Sequence, residues 1–166
     1  MKILDLINES YESFLFEAQK FAPNSEESLK QVRALKKKFN FDANLTVWDN
    51  YNKVPEKYRE QVIDILINHC KNLNREIYLY ISGKYNLGTI YWKKADKSIS
   101  QYTYIVLRNG NRLGIRISDH SKPKKMDVKT HLMNIYYNTS FNDVVKEKID
   151  NFIKKYSEEI NYKKSA

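Results

Sequence analysis

The chain has 166 residues, enough for one domain with its own apolar core, and its 29 lysines and arginines against 20 aspartates and glutamates leave a formal net charge of +9. Its single cysteine, Cys70, excludes an internal disulfide, and no apolar stretch reaches the roughly 18 residues that a membrane helix needs. We therefore expect a cytoplasmic protein without membrane contact, and the excess positive charge favours nucleic acid or another polyanion as its partner.

The charge is unevenly distributed along the chain. Residues 1–28 carry 2 basic and 6 acidic side chains, a net charge of −4, whereas residues 29–59 carry 8 and 3, a net charge of +5. An acidic beginning therefore precedes a basic body. An AT-rich coding sequence would also favour the many Lys, Asn, Ile and Tyr residues, and it is an alternative origin of the positive charge that involves no phosphate ligand.

Apolar residues at helical spacing predict three helices in the first part of the chain. Their predicted ranges are 4–21, 24–39 and 55–74. Asn24 or Ser25 is expected to cap the second helix, and the third is expected to end near Asn72 or Asn74. The segment 40–54 is predicted to be a packed loop.

The apolar period changes from about 3.6 to 2 after the third helix and predicts an antiparallel sheet of four or five strands over 75–138. Alternating apolar residues in 77–81 and 90–93 predict two strands separated by a turn at 83–88. A further strand is expected within 131–137.

The pair Asn109–Gly110 predicts a two-residue type I′ turn inside this sheet, because both residues readily adopt positive φ angles. The strands that it would join are 101–108 and 111–118. In the register of that turn Tyr104 lies opposite Ile115. Arg112 and Arg116 then fall on the other face of the hairpin, away from Tyr104.

Together these elements predict a single α+β domain over 1–166. It consists of a helical part (1–74), an antiparallel sheet (75–138) and a C-terminal helix (139–160) that begins at a cap formed by Ser140.

The best candidate for catalysis is the pair Asp119–His120, which follows a predicted strand and precedes a basic loop. His120 would act as general acid or base, His131 would supply a second proton-transfer group, and Arg116 or Lys122 would stabilise a phosphate in a metal-independent ribonuclease. The alternative is that Asp119 caps a turn and His120 is an ordinary surface residue.

Motifs for other chemistries are missing from the sequence. It has no P-loop, no glycine-rich dinucleotide turn, no nucleophile elbow and no closely spaced pair of Cys or His residues, so we expect neither a cofactor nor a metal. His69 lies on the apolar stripe of the third helix, which favours a hydrogen-bonded core histidine over a ligand.

Basic residues fall into three predicted patches for contacts with phosphates. The first contains Lys30, Arg33, Lys36, Lys37 and Lys38, the second Lys93, Lys94 and Lys97, and the third Arg112, Arg116, Lys122, Lys124, Lys125 and Lys129. Aromatic residues expected on strands are candidates for stacking on unpaired bases, unless they pack under the helices. These candidates are Tyr78, Tyr80, Tyr91 and Trp92.

The pattern Ser-x-Tyr-x-Tyr at Ser100, Tyr102 and Tyr104, followed by Arg-Ile-Ser-Asp-His at 116–120, resembles a hairpin of uncharacterised proteins from phages and other mobile elements. The resemblance implies an accessory protein and names no activity. Such accessory proteins include inhibitors of nucleic-acid-guided defence nucleases.

Three functional hypotheses follow from these patterns. The leading one is a non-enzymatic accessory or inhibitor protein that contacts RNA, single strands or a protein–RNA complex through the third basic patch. A counter-defence inhibitor that binds an effector nuclease or its guide RNA is the first alternative. The metal-independent ribonuclease with His120 is the second.

Overall fold

The computed structural model of the protein describes residues 21–94, 100–118 and 129–160. Within these ranges the chain forms α1 (Ser25–Lys38), α2 (Val47–Tyr51), α3 (Glu56–Lys84), β1 (Ile90–Lys94), β2 (Gln101–Val106), β3 (Arg112–Ser118), β4 (Thr130–Tyr136) and α4 (Asp143–Lys155). The fold is α+β, as predicted, and the predicted helix 4–21 lies outside the described residues, apart from its last residue.

The longest element is α3, which continues far beyond its predicted end and includes the predicted strand 77–81. Leu73, Ile77 and Ile81 are fully buried at a spacing of four residues, whereas Leu79 is 58% exposed. The alternation of apolar residues in this segment is therefore accidental, and the helical spacing that continues from Leu73 determines the structure. The sheet begins at Ile90, not near residue 75.

The sheet is mixed, so the prediction of a purely antiparallel sheet is wrong for β4. The strand order is β1-β2-β3-β4, in which β1 pairs antiparallel with β2, β2 antiparallel with β3, and β3 parallel with β4. Alternation along a strand predicts which residues share a face but not the direction of the strand.

The β2–β3 hairpin closes through a three-residue loop instead of the predicted type I′ turn. The Gly110 amide donates to the Leu107 carbonyl at 3.0 Å, and the Leu107 amide donates to the Asn111 carbonyl at 2.6 Å. Gly110 has a φ of 85°, and Asn109 is not among the residues with positive φ. This combination is a type I turn followed by a left-handed glycine.

The additional loop residue shifts the predicted register by one position. Tyr104 lies opposite Gly114, and Tyr102 lies opposite Arg116. Because a one-residue shift exchanges the faces of a strand, Arg112 and Arg116 share a face with the two tyrosines instead of lying on the opposite one.

The two faces of the sheet have different neighbours. The helix face contacts α3, where the Thr103 hydroxyl donates to Asn74 Oδ1 at 2.5 Å, and it contacts the chain after α4, where the His131 and Tyr156 rings stack at 4.4 Å. The other face, which we call the Tyr–Arg face, is the face of Tyr102 and Arg116. Strands β2 and β3 are buried on both faces. The core between the helix face and the helices is mainly aliphatic.

The ends of the shorter elements agree with the predictions only in part. Asn24 caps α1, which is one of the two predicted alternatives, and its side chain accepts from the Glu27 amide at 2.9 Å. Asn142, not Ser140, caps α4 by accepting from the Val145 amide. The predicted loop 40–54 contains the short helix α2.

Candidate nucleic-acid interface

Three strands finish at one end of the sheet, because β1, β3 and β4 run in the same direction. Their last residues are Lys94, Ser118 and Tyr136. Lys93 and Lys94 are exposed there. Three strand spacings separate β1 from β4, so Lys94 and Tyr136 are about 14 Å apart across the sheet. Lys93, Lys94 and Tyr136 therefore lie at the edges of a surface about 14 Å wide.

The last turn of α1 reaches the same end of the sheet. Lys36 and Tyr136 both line a cavity of about 230 Å³, and the Lys36 ammonium lies 4.8 Å from the centroid of the Tyr137 ring. Lys37 is exposed on the same turn, and Lys38 is half-buried. We call this surface the basic end and define it by Lys36, Lys37, Lys93, Lys94 and Tyr136.

The third predicted patch is divided by the structure. Lys122, Lys124 and Lys125, together with Asp119 and His120, lie outside the described residues. The residue before them, Ser118, lies at the basic end. Lys129 is exposed at the opposite end of the sheet, where its carbonyl accepts from the Arg112 amide at 2.8 Å.

Arg112 is a structural residue of the Tyr–Arg face. Its guanidinium donates to the Tyr91 hydroxyl at 3.1 Å and to the Thr130 hydroxyl at 3.1 and 3.2 Å, and it lies 4.6 Å from the centroid of the Tyr104 ring. These contacts connect β1, β2, β3 and β4. The side chain is half-buried, so it offers less of its charge to a ligand than the exposed lysines do.

Arg116 is more deeply enclosed than Arg112. The residue is 5% exposed, and its Nε and Nη1 atoms are buried without a hydrogen-bond partner in the described part of the chain. Beside it, the Tyr102 and Tyr104 rings are stacked and nearly parallel, with an interplanar angle of 2° and a centroid separation of 5.6 Å. Neither ring is open to a base, since each tyrosine is 5% exposed.

The four predicted stacking residues have different environments. Trp92 is 51% exposed and contacts Tyr78 edge-on at 5.6 Å. The Tyr91 hydroxyl accepts a hydrogen bond from Arg112. Tyr80 lies on α3 instead of a strand, and its hydroxyl donates to Asp150 at 2.7 Å. Trp92 is thus the predicted candidate with the most accessible ring.

Tyr136, which is 39% exposed, is an accessible ring that the sequence interpretation missed. The signal is present in the sequence. Strict alternation along 131–137 places Tyr136 on the face opposite Tyr137, and Tyr137 is buried.

Tyr80 belongs to a cluster that joins α3 to α4. The Asp150 carboxylate accepts from Tyr80, Lys84 at 2.8 Å and Tyr85 at 2.5 Å. Burial opposes ionisation of Asp150, but these hydrogen bonds outweigh burial and hold its pKa below the ordinary value. Burial, together with the bond to Asp150, raises the pKa of Tyr85. The cluster is a connection between helices, because its hydroxyl and ammonium groups all point to one carboxylate.

His69 is the predicted hydrogen-bonded core histidine. Its Nε2 lies 2.6 Å from the Tyr137 carbonyl and 3.0 Å from the Thr139 carbonyl, so Nε2 carries the proton and Nδ1 accepts from the Ser28 hydroxyl. Burial lowers the pKa of His69 from 6.5 to about 4. Both Ser28 and His69 are fully buried, so a substrate cannot reach this pair.

The structure separates the described members of the predicted ribonuclease site. His131 stacks on Tyr156 at the helix face, whereas Arg116 lies on the Tyr–Arg face. His131 is also near the start of β4, at the end of the sheet opposite Ser118. It therefore does not approach the point from which the segment with His120 departs.

Within residues 21–94, 100–118 and 129–160 there is no group of three or more His, Cys, Asp or Glu side chains that would hold a metal ion. No helix in that part of the chain has the length and apolar character needed to cross a membrane. The chain has no significant match to a protein-family model, a curated protein or a solved structure.

Proposed function

We propose that this is a cytoplasmic, non-enzymatic accessory or inhibitor protein that binds unpaired nucleic-acid strands, RNA above all, at its basic end. One observation carries the proposal. Lysines from two patches that are distant in the sequence, Lys36 and Lys37 on α1 and Lys93 and Lys94 on β1, occur at the same end of the sheet.

The charge of the basic end suits a phosphate backbone. Lys37, Lys93 and Lys94 are exposed, and Asp42 is the single carboxylate among the residues that line the cavity beside Lys36. Lysines act as point charges for phosphates and give binding without sequence preference. The segment that contains Lys122, Lys124 and Lys125 follows Ser118 in the sequence and lies outside the described residues.

Accessible aromatic rings favour unpaired strands over a duplex. Trp92 precedes the two lysines of β1, and Tyr136 ends β4. Bases stack on such rings when they are unpaired, whereas the faces of paired bases are already occupied by their neighbours in the duplex. A protein–RNA complex that exposes a single strand presents the same chemistry.

The test is a titration of labelled single-stranded RNA by fluorescence anisotropy at several salt concentrations. Changing Lys37, Lys93 and Lys94 together to Gln should weaken binding and reduce the slope of log K against log salt by about 2, because each single-strand phosphate contact contributes roughly 0.7. The matched control changes Lys148, Lys154 and Lys155 to Gln, which removes the same charge from the exposed side of α4.

The control distinguishes a site from a general effect of charge. Unchanged affinity in the control and weaker binding in the first variant support the basic end as the site. Equal weakening in both variants would assign binding to net charge alone, and no binding by the wild-type protein would exclude the function.

A further inference from the structure

The cavity at the basic end lies between the last turn of α1, the segment that leads into α2, and the end of β4. Its volume of about 230 Å³ is far larger than the roughly 10–15 Å³ that one water molecule needs, and smaller than the roughly 300–1,000 Å³ of pockets for drug-sized ligands. Phe41, Leu45 and Val47 contribute apolar side chains to its lining, and Tyr136 contributes an accessible ring. The cavity therefore suits a small, flat ring system such as a single nucleobase.

The lining of this cavity includes two opposite charges, the Lys36 ammonium and the Asp42 carboxylate. Asp42 is exposed, so a ligand can reach it. Its Oδ1 atom closes a turn by accepting from the Asn44 amide at 2.9 Å, but an asparagine would close the same turn without a negative charge. A carboxylate also weakens the attraction of the basic end for phosphates. The turn therefore does not account for the negative charge of Asp42, whereas a ligand with hydrogen-bond donors would.

The backbone of Asp42 is held in place by Asn50, which is 5% exposed. Asn50 Oδ1 accepts from the Asp42 amide at 2.6 Å, and Asn50 Nδ2 donates to the Asp42 carbonyl at 2.9 Å. The same Nδ2 donates to the Thr46 carbonyl at 3.0 Å, which anchors Asn50 itself. With the bond from Asn44, these contacts position the carboxylate before a ligand binds. A preorganised acceptor loses less conformational entropy on binding than a freely rotating one does.

The four RNA bases differ in what their Watson–Crick edges offer to a carboxylate and an ammonium. Guanine presents the O6 carbonyl followed by two adjacent donors, N1–H and N2–H. A carboxylate can accept from both donors at once, while an ammonium donates to O6. Cytosine and adenine each offer the carboxylate one amino group beside a ring nitrogen that is an acceptor, and uracil offers one donor between two carbonyls. Guanine is therefore the base whose edge best matches the charges of this cavity.

We propose that the cavity binds one unpaired guanine base of an RNA strand. Asp42 accepts from N1–H and N2–H of the base, Lys36 donates to O6, and the Tyr136 ring stacks on the base. The inference rests on the proposed function, because the strand that carries the guanine is bound by the exposed lysines beside the cavity. It adds a preference for one base to phosphate contacts that carry no sequence information.

Fluorescence anisotropy with the full chain and two labelled RNAs, a short oligouridine and the same strand with one central guanine, tests this preference. The wild-type protein should bind the guanine strand about 5- to 150-fold more tightly, the range expected of one good bidentate contact. Asp42→Asn keeps an oxygen for the Asn44 amide but removes the charge and one acceptor. It should abolish the preference and bind oligouridine at least as tightly as the wild type, because it removes a negative charge from the basic end.

Asp49→Asn is the matched control. Asp49 is exposed on α2 and is not among the residues that line the cavity, so this variant loses the same charge and should retain the preference. Strands with a central cytosine or adenine complete the comparison. The proposal is overturned if the wild-type protein binds either of them as tightly as the guanine strand, if Asp42→Asn retains the preference, or if Asp49→Asn loses it equally.

A second measurement distinguishes failure of this inference from failure of the proposed function. Guanosine monophosphate should raise the thermal unfolding midpoint of the wild-type protein more than the other three nucleoside monophosphates do, and Asp42→Asn should remove the difference. RNA binding that depends on Lys37, Lys93 and Lys94 but not on guanine would overturn the inference and leave the proposed function standing. Selective binding of guanosine monophosphate without RNA binding would support the guanine site and overturn the proposed function. Absence of both would overturn both.

Discussion

The two faces of the sheet are buried to a similar extent in β2 and β3, but by different chemistry. On the helix face, Ile105, Ile115 and Ile117 contribute aliphatic side chains that need no partners. On the Tyr–Arg face, Tyr104 and Arg112 lie in a layer of rings and hydrogen-bonding groups. Aliphatic burial provides most of the free energy of folding, whereas polar and aromatic layers demand a specific geometry. The comparison predicts different responses to substitution on the two faces.

The largest effect is expected on the helix face. Ile115→Ala should reduce the free energy of unfolding by about 2–5 kcal/mol, because it removes a fully packed side chain and leaves a cavity. Leu132→Ala, at a half-buried position of the Tyr–Arg face, is the matched comparison and should cost less than half as much. Urea denaturation of both variants measures the two losses. Equal losses would contradict the assignment of aliphatic stability to the helix face.

The next effect is a dependence of stability on pH. The neutral form of His69 makes the hydrogen bonds that hold α1 and α3 to the chain after β4. Its folded pKa of about 4 is below its ordinary value of 6.5, so the unfolded chain binds more protons between these values. Stability should therefore be fully present above pH 6.5, fall by about 3 kcal/mol as the pH decreases to 4, and then level off with respect to this group.

Urea denaturation across this pH range measures the dependence on His69. The control is His131→Gln, which should retain this dependence, because the change leaves His69 and its hydrogen bonds in place. A protein whose stability is constant between pH 7 and 4.5, or whose pH dependence disappears in His131→Gln, would contradict the role of His69.

The smallest effect of the three tests the tightness of the Tyr–Arg face. A Cβ at Gly114 would lie 3.2 Å from Tyr104 Cε1, 3.2 Å from Leu132 Cδ1 and 3.3 Å from Thr130 Cγ2. Gly114→Ala should therefore destabilise the protein by about 1–2 kcal/mol through crowding.

Gly83→Ala is the control with the opposite sign. A Cβ at Gly83 has no neighbour within 4 Å, and the residue lies in α3, so alanine should stabilise the protein by about 0.5–1 kcal/mol. Thermal or urea unfolding of both variants compares them directly. A neutral or stabilising Gly114→Ala would show that the Tyr–Arg face adapts more easily than its geometry indicates.

Periodicity was sufficient to predict most elements of the fold but not their directions. The pattern of Leu29, Val32 and Leu35 predicts α1, and that of Val145, Ile149 and Ile153 predicts α4; these residues are buried. By contrast, Ile77, Leu79 and Ile81 fit a strand as well as a helix when considered alone. Packing of α3 decides between the two, and a short sequence window does not contain this information.

The sequence predicts the separate basic patches of the candidate interface but not that they form one surface. Lysines of α1 and of β1 were each recognised as a basic patch, but their meeting at one end depends on the parallel direction of β4 and on the packing of α1 against Tyr137. The error at Arg112 and Arg116 had a local cause. A single additional loop residue at Arg108–Gly110 exchanged the faces of the hairpin, and two- and three-residue loops share the same Asn-Gly signal.

The hydrogen bonds of His69 also constrain the order of folding. They connect α1, α3 and the chain after β4 across sequence separations of 41, 68 and 70 residues. Contacts between such distant residues form only after large loops have closed, whereas the β2–β3 hairpin is local. We therefore expect His69 to join its partners after the main folding barrier, so that this histidine governs how slowly the native protein unfolds and has little influence on how fast it folds.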